Sequence, residues 1–247
     1  MTSPRMTLRC AAATHPGLRR PANEDTVLAA HPVFLVADGM GGHADGELAS
    51  RAVISAFREL VGKTWVTAQD ITAAVQRAAD RVECLGCGDG APGSTLAGAA
   101  SARRAGIACW LLFNIGDSRI YLMRSGQLRR ISVDHSTRIS SAGPGTRGGL
   151  VRAFGAGLER PVADQWLTPA HAGDRILVCS DGLSDEVAGE YLERVLRERS
   201  EPQEVVRRLV GKALAEGGRD NISVIVVDCL ETVVTEIDEL DDVVSLD

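Results

Sequence analysis

Three aspartates stand where apolar, strand-like runs stop. Val33–Ala37 leads into Asp38-Gly39, Ile176–Ser180 into Asp181-Gly182, and Leu111–Gly116 into Asp117. A fourth, Asp220, comes just before Ile222–Val227, a run with strand composition. In an antiparallel sheet the end of one strand lies beside the start of its neighbour, so the spacing predicts four carboxylates at one rim. Such a cluster of like charges is costly unless a cation binds, and carboxylate oxygens suit hard divalent ions. The pattern therefore predicts a polynuclear Mg or Mn site. Two ions roughly 3.5–4 Å apart can hold a water between them and lower its pKa towards neutrality.

The elements that must carry these groups can be read along the chain. Met6–Thr14 and Val27–Val36 have strand composition, and Glu47–Val61 places Leu48, Ala52, Ile54, Ala56, Phe57, Leu60 and Val61 at helical spacing. Ala68–Val82 repeats that pattern with Ile71, Val75, Ala78, Ala79 and Val82 on one face. After a glycine-rich break, strands are expected at Ser94–Ala102, Ile107–Ile115, Arg119–Met123 and Asp174–Cys179. Helices are expected at Glu190–Arg199 and Pro202–Glu216, the second opening on a proline that a first helical turn accepts. Strand blocks alternating with paired helices predict an α+β layered domain.

The 247 residues suit one domain, predicted over residues 1–230, with an acidic tail at 231–247 that carries no basic residue and is expected to be mobile. Hydrophobic content of 45% supplies a core, and 4% aromatics make it aliphatic. A net charge of -6 argues against a nucleic-acid surface, which needs a basic footprint. No apolar leader is visible after Met1 and no run reaches the ~18 apolar residues of a membrane helix. Six scattered cysteines do not form a disulfide framework, so a reducing cytoplasm is the expected location and no membrane partner is expected.

The motifs Gly17-Leu18-Arg19-Arg20-Pro21-Ala22-Asn23-Glu24-Asp25, Ala37-Asp38-Gly39-Met40-Gly41-Gly42-His43, Gly116-Asp117-Ser118-Arg119, Ser180-Asp181-Gly182-Leu183 and Arg219-Asp220-Asn221 occur in that order. Over about Thr7 to Asp228 the chain resembles the protein phosphatase 2C (PPM) family of metal-dependent protein serine/threonine phosphatases, in its bacterial branch. The resemblance implies a β-sandwich of two antiparallel sheets flanked by helices on both sides. It implies that Asp38 bridges two Mn or Mg ions, with the Gly39 carbonyl as a further ligand. Asp181 and Asp220 would complete the first ion's carboxylates, and Asp117 would share a possible third ion with Asp181. Glu24 matches the acidic residue at the second ion, directly or through water, and Arg20 matches the arginine that grips the substrate phosphate. A guanidinium can hold two phosphoryl oxygens at once. No nucleophilic side chain stands out. The implied reaction is thus hydrolysis of phosphoserine and phosphothreonine by a metal-bridging water or hydroxide, without a phosphoenzyme. Implied partners are phosphorylated proteins, with a serine/threonine kinase and its substrates.

Each motif has a plainer counterpart. Single Asp-Gly pairs are common turn formers, and Asn23 and Asp25 read as loop braces. Cys84 and Cys87 have knuckle spacing without a second pair, and Cys109, Cys179 and Cys229 read as core residues. Ala142–Gly149 is similar to a phosphate-cradling loop but lacks the Gly-Lys-Ser/Thr ending. Met40 stands where eukaryotic members carry a general-acid histidine. Leaving-group protonation is therefore assigned to water, with His43 as the alternative and His135 a further acid–base candidate. Asp134-His135-Ser136 and Arg152-Ala153-Phe154-Gly155 resemble the motifs around the active-site flap. The flap between them, Thr137 to Val151, is shortened and glycine-rich, which bears on substrate selection. Two other functions stay open from sequence: a phosphoprotein-binding module that turns over poorly, and hydrolysis of small phosphoesters.

Overall fold

The computed structural model describes residues 6–41, 44–86, 88, 90–138, 147–198, 200–232 and 244–246. The chain opens with strands β1 (Met6–His15), β2 (Thr26–Ala30), β3 (Val33–Ala37) and the short β4 (Gly39–Met40), then helices α1 (Ala44–Phe57) and α2 (Ala68–Glu83). Strands β5 (Gly93–Ser94), β6 (Leu96–Arg104), β7 (Ile107–Ile115), β8 (Arg119–Arg124) and β9 (Gln127–Arg130) follow. The pair β10 (Ser136–Arg138) and β11 (Arg147–Leu150) precedes β12 (Phe154–Gly155), β13 (Asp164–Pro169) and β14 (Arg175–Cys179). A helical turn α3 (Asp181–Ser184) and helices α4 (Gly189–Arg197) and α5 (Pro202–Ala215) lead to β15 (Ile222–Thr232) and β16 (Val244–Ser245).

Two antiparallel sheets form the frame. One has the order β1-β15-β14-β8-β9, the other β16-β13-β7-β6-β3-β2. Period-two burial divides the side chains among three layers. Phe34, Val36, Trp110 and Leu112 meet Ile176, Val178, Ile225 and Val227 between the sheets. The alternate residues of the six-stranded sheet, Val33, Leu35, Leu111 and Phe113, pack against α1 and α2. Leu177, Cys179, Val224 and Val226 pack against α4 and α5 on the other side. Strands buried on both faces read as continuous apolar runs, which is why their positions were visible in the sequence.

The structure differs from the local sequence reading in four places. Val27–Val36 is a hairpin rather than one strand, broken at the cis His31-Pro32 peptide, because a proline cannot donate to the ladder. Helix α1 buries Ala49, Val53, Ile54, Ala56 and Phe57, while Leu48 and Val61 are exposed. Asp164–Pro169, whose composition gave no strand signal, pairs with β7 from Asp164↔Asn114 to Pro169↔Cys109. Within the segment expected as a mobile acidic extension, Val244 and Ser245 pair with Leu167 and Trp166 at the free edge of that strand.

At the pole where β8 ends and β14 begins, a fully bonded network closes the sandwich. Asp174 accepts from Arg124 at 2.8 and 2.7 Å, from Trp110 Nε1 at 3.0 Å and from the His171 N–H at 2.9 Å. Arg175 is held by Asp228 at 2.6 and 2.8 Å. A cavity of about 530 Å³ opens there, and its Arg9, Arg124, Arg175 and Arg197 all have acidic partners, so it presents no uncommitted guanidinium to a ligand. The aspartates singled out in the sequence lie at the other pole.

Candidate metal centre

The site is built where the two sheets' rims face each other. Asp38 follows β3 and Asp117 follows β7, parallel neighbours-but-one whose ends share a rim through β6. Asp181 follows β14 and Asp220 precedes β15, adjacent antiparallel strands of the other sheet. Each sheet thus contributes two aspartates. Together with Arg20, Glu24 and Gly39 they line one cavity of about 310 Å³, so the residues singled out in the sequence for metal and phosphate are gathered there.

Hydrogen bonds across long sequence separations hold the loops in place. Asn221 accepts from the Glu24 N–H at 2.8 Å and donates to the carbonyls of Pro16 and Ala22 at 3.0 and 2.9 Å. One amide therefore fixes the loop that presents Arg20 and Glu24. Asn23 donates to Thr14 Oγ1 at 2.7 Å, the bracing role read from the sequence. Asp25 is buried and accepts from Ser180 Oγ at 2.8 Å, bridging the Glu24 loop to the turn before Asp181. The Asp38 N–H donates to Thr95 Oγ1 at 3.1 Å, and that hydroxyl meets Ser118 Oγ at 2.8 Å, joining the Asp38 and Asp117 turns. A bidentate Arg119–Asp134 pair, at 3.0 and 2.7 Å, braces the second of those turns. Gly39 has no room for a side chain, since a Cβ would fall 2.1 Å from the Gly46 carbonyl oxygen.

The electrostatics are those of crowded anions. Burial, and then the charges of Asp25, Asp181, Asp117 and Asp220, push the Asp38 carboxyl well above the usual carboxylate range. Burial pushes Asp25 up to about 6, against the hydroxyls of Ser223 and Ser180, which favour its charged form. Arg20 enters from the rim: its Nη2 donates to Asp220 Oδ2 at 2.7 Å. That bond and the Asp220 charge, with smaller contributions from Glu24 and Asp181, raise its already high pKa.

The donor set fits divalent metal. It is all oxygen, anionic and converging on one cavity, as hard cations require. Among the described residues no three His, Cys, Asp or Glu side chains close on a single point as a ready cage. The carboxylates surround the cavity at a spread, consistent with their mutual repulsion and with Arg20 paired to one of them.

The weaker candidates separate cleanly. Cys109, Cys179 and Cys229 are buried core thiols, and Cys84 is exposed at the end of α2. Cys87, His43 and 139–146 of the glycine-rich segment lie outside the described residues. Met40 lines the cavity. His135 does not, and both its ring nitrogens are engaged elsewhere, which removes it as an acid–base group. The signal missed in the sequence was Asn221, whose contacts lie about two hundred residues away in the chain.

This sandwich, with carboxylates from both sheets at one pole, is the architecture of metal-dependent phosphatases. The chain belongs to the protein phosphatase 2C family, whose model matches residues 22–216. It is 35% identical over 243 residues to the serine/threonine protein phosphatase PstP of Mycobacterium tuberculosis, covering 92% of this chain and 46% of that protein, so it spans about half the length of that relative. It is 29% identical over 221 residues to the serine/threonine phosphatase stp of Listeria monocytogenes, covering 80% of this chain and 84% of that one. A crystal structure of the M. tuberculosis PstP superposes with a TM-score of 0.79 at 36% identity, covering 91% of this chain and 99% of that one. Its catalytic domain in complex with two manganese ions gives 0.76 at 36% identity over the same shares. Among the described residues no helix is long and apolar enough to cross a membrane.

Proposed function

We propose that this chain is a Mn- or Mg-dependent phosphatase that hydrolyses phosphoserine and phosphothreonine in proteins directly, without a phosphoenzyme. One observation carries the reading: four aspartates, Glu24 and a guanidinium from separate segments line a single cavity. Its described lining contains no Ser, Cys or His, and its one hydroxyl, Thr95 Oγ1, is engaged with the Asp38 N–H and Ser118. The described lining thus offers no Ser, Cys or His nucleophile, and reading its carboxylates as metal ligands supports direct attack by water.

In this reading Asp38 and the Gly39 carbonyl would hold two ions, Asp181 and Asp220 would complete one of them, Glu24 would serve the second directly or through water, and Asp117 would share any third ion with Asp181. Bound ions would acidify a water for in-line attack on phosphorus and withdraw charge from the phosphoryl oxygens. Arg20, with its side chain about half exposed at the rim, exchanges its Asp220 partner for two phosphoryl oxygens of the substrate. Asn221 and Asp25 keep the Arg20 and Asp181 loops in register during that exchange. With Met40 in the lining and no imidazole there among the described residues, the leaving alkoxide takes its proton from water in this reading. The manganese-bound structure of the M. tuberculosis relative supports the choice of ion, and the names of the relatives support phosphoproteins as substrates. A serine/threonine kinase acting on the same proteins is the expected counterpart.

The test is phosphate release from a phosphothreonine peptide with Mn, with Mg and with chelator, for wild type and Asp38→Ala. Release that needs metal and disappears in the variant supports the reading. Folded wild-type protein that releases nothing with either metal overturns it in favour of a phosphoprotein-binding module. Release from small phosphoesters but not from peptides moves the substrate class instead.

A further inference from the structure

His135 is buried, and its bonds run to the turn before Asp117, to Asp164 and to the base of the flap. Its backbone N–H donates to the Gly116 carbonyl at 3.0 Å, and the Gly116 N–H donates back to its Nδ1 at 3.0 Å. Gly116 sits at φ +99°, with a Thr95 methyl 2.6 Å from where a Cβ would stand, so the turn is confined on its far side as well. On the flap side the His135 carbonyl accepts from the Val151 N–H at 2.9 Å. Leu150, the preceding residue, pairs with Ser136 across β10 and β11 and lines the metal-site cavity.

The bonding also fixes the tautomer. A ring nitrogen that accepts from an amide carries no proton, so the proton resides on Nε2. Nε2 lies 2.9 Å from Asp164 Oδ2 and donates to it. Arg152 Nη1 is 3.2 Å from the same Nε2, but two donors do not bond each other, and its partner is Asp164 Oδ1 at 2.5 Å. Asp164 is thus held by the arginine and in turn orients the imidazole.

We propose that His135, as the Nε2-protonated tautomer set by Asp164 and Arg152, is a positioning residue that fixes Asp117 through the Gly116 amide and ties it to the flap strands. The proposal rests on the reading of Asp117 as a metal ligand. It assigns His135 no contact with substrate or reacting atoms. Groups that orient ligand-bearing segments commonly change metal affinity or activity by about 10–100-fold when lost.

Two variants separate the imidazole's two bonds. In His135→Asn the amide oxygen stands near the place of Nδ1 and can still accept from Gly116, but it loses the reach to Asp164. In His135→Gln the amide reaches Asp164, with no acceptor left for Gly116. Mn2+ binding without substrate, followed by calorimetry, should weaken about 10–100-fold in His135→Gln and stay close to wild type in His135→Asn. Phosphate release should show the same order in kcat, with KM for the phosphopeptide unchanged within about twofold. Amide exchange at Gly116 should accelerate in the Gln variant alone. Long-range proton–nitrogen correlation on wild type should show the Nε2–H tautomer.

A folded His135→Gln protein with wild-type Mn2+ binding and a protected Gly116 amide overturns the proposal. A proton on Nδ1 in wild type does so even if neither variant folds. If wild type releases no phosphate, the functional reading fails. Calorimetry, exchange and tautomer then still decide the role of His135.

Discussion

Arg20 and Asp220, two hundred residues apart, form an ion pair at the rim of the carboxylate cavity, with Nη2 2.7 Å from Oδ2 and side-chain exposures of 52% and 36%. A pair this exposed contributes less than about 1 kcal/mol to stability, because solvent screens it and two flexible side chains must be ordered. Its value lies in keeping a cation poised where substrate phosphate would arrive. Arg20→Ala should therefore leave the melting temperature within about 4 °C of wild type. Its kcat/KM on a phosphothreonine peptide should fall about 10²–10³-fold, as when a preorganised oxyanion donor is removed. A large loss of melting temperature with little loss of turnover would reverse that assignment.

Asp25 gives the site a pH signature in metal-free protein. Burial raises its carboxyl to about 6 from 3.8. The folded state therefore binds this proton more tightly than the unfolded state, and between those values stability falls as pH rises. The shift corresponds to about 3 kcal/mol, fully lost above about pH 6. Asp25→Asn should flatten that slope and raise the melting temperature at pH 7 in chelator. Denaturant unfolding of both proteins at a series of pH values from about 4 to 7 checks it, and parallel curves would show that Asp25 is charged in the folded state throughout.

The sequence exposed those parts of the molecule whose information is local. Strands β3, β7, β14 and β15 are buried on both faces, so their apolar runs and the aspartates beside them could be read directly. Helix α1 misled because large residues such as Leu48 suggest the buried face. The glycine pair Gly39 and Gly46 instead lets the helix approach closely, with small Ala49 inward. Strand β13 has no local signal: Asp164 and Gln165 are strand residues only because β7 is beside them. Asp25 could be read as a loop brace, but not its partner Ser180, and the bracing role of Asn221 was invisible for a related reason. Its partners Pro16 and Ala22 are distant in sequence, and no periodicity encodes a contact of that range.

Gly46 offers a way to move Glu24 without touching its charge. A Cβ at Gly46 would lie 2.8 Å from Glu24 Cδ and 2.9 Å from Oε1. The position is inside α1, where alanine is favoured over glycine by about 1 kcal/mol. The same Cβ would lie 3.0 Å from the Met40 backbone nitrogen, so the crowding offsets the propensity gain, and Gly46→Ala should fold with slightly lower stability while pushing the Glu24 carboxylate aside. The Mn2+ concentration giving half-maximal phosphate release should rise about tenfold, with kcat recovered at saturating metal. An unchanged metal titration in a folded variant would place Glu24 outside the metal centre.

The acidic tail has a structural part that can be removed. Val244 and Ser245 pair with β13, the Leu246 N–H donates to the Gln165 carbonyl at 2.8 Å, and Leu246 packs on the helix-side core. Deleting 233–247 should cost about 1 kcal/mol from this partial burial and lower the melting temperature by about 2–4 °C. It also leaves the β13 edge unpaired, the kind of edge that invites pairing between chains. Amide exchange at Gln165–Leu167 should therefore accelerate, and light scattering should detect concentration-dependent association that the full chain does not show. Turnover should persist, because the ladder ends before Asp164 and the His135 clamp is supported independently by Arg152. Exchange at β13 identical to that of the full chain would mean that the tail does not cover this edge in solution. A loss of turnover in folded, monomeric truncated protein would instead give the tail a direct role in the site.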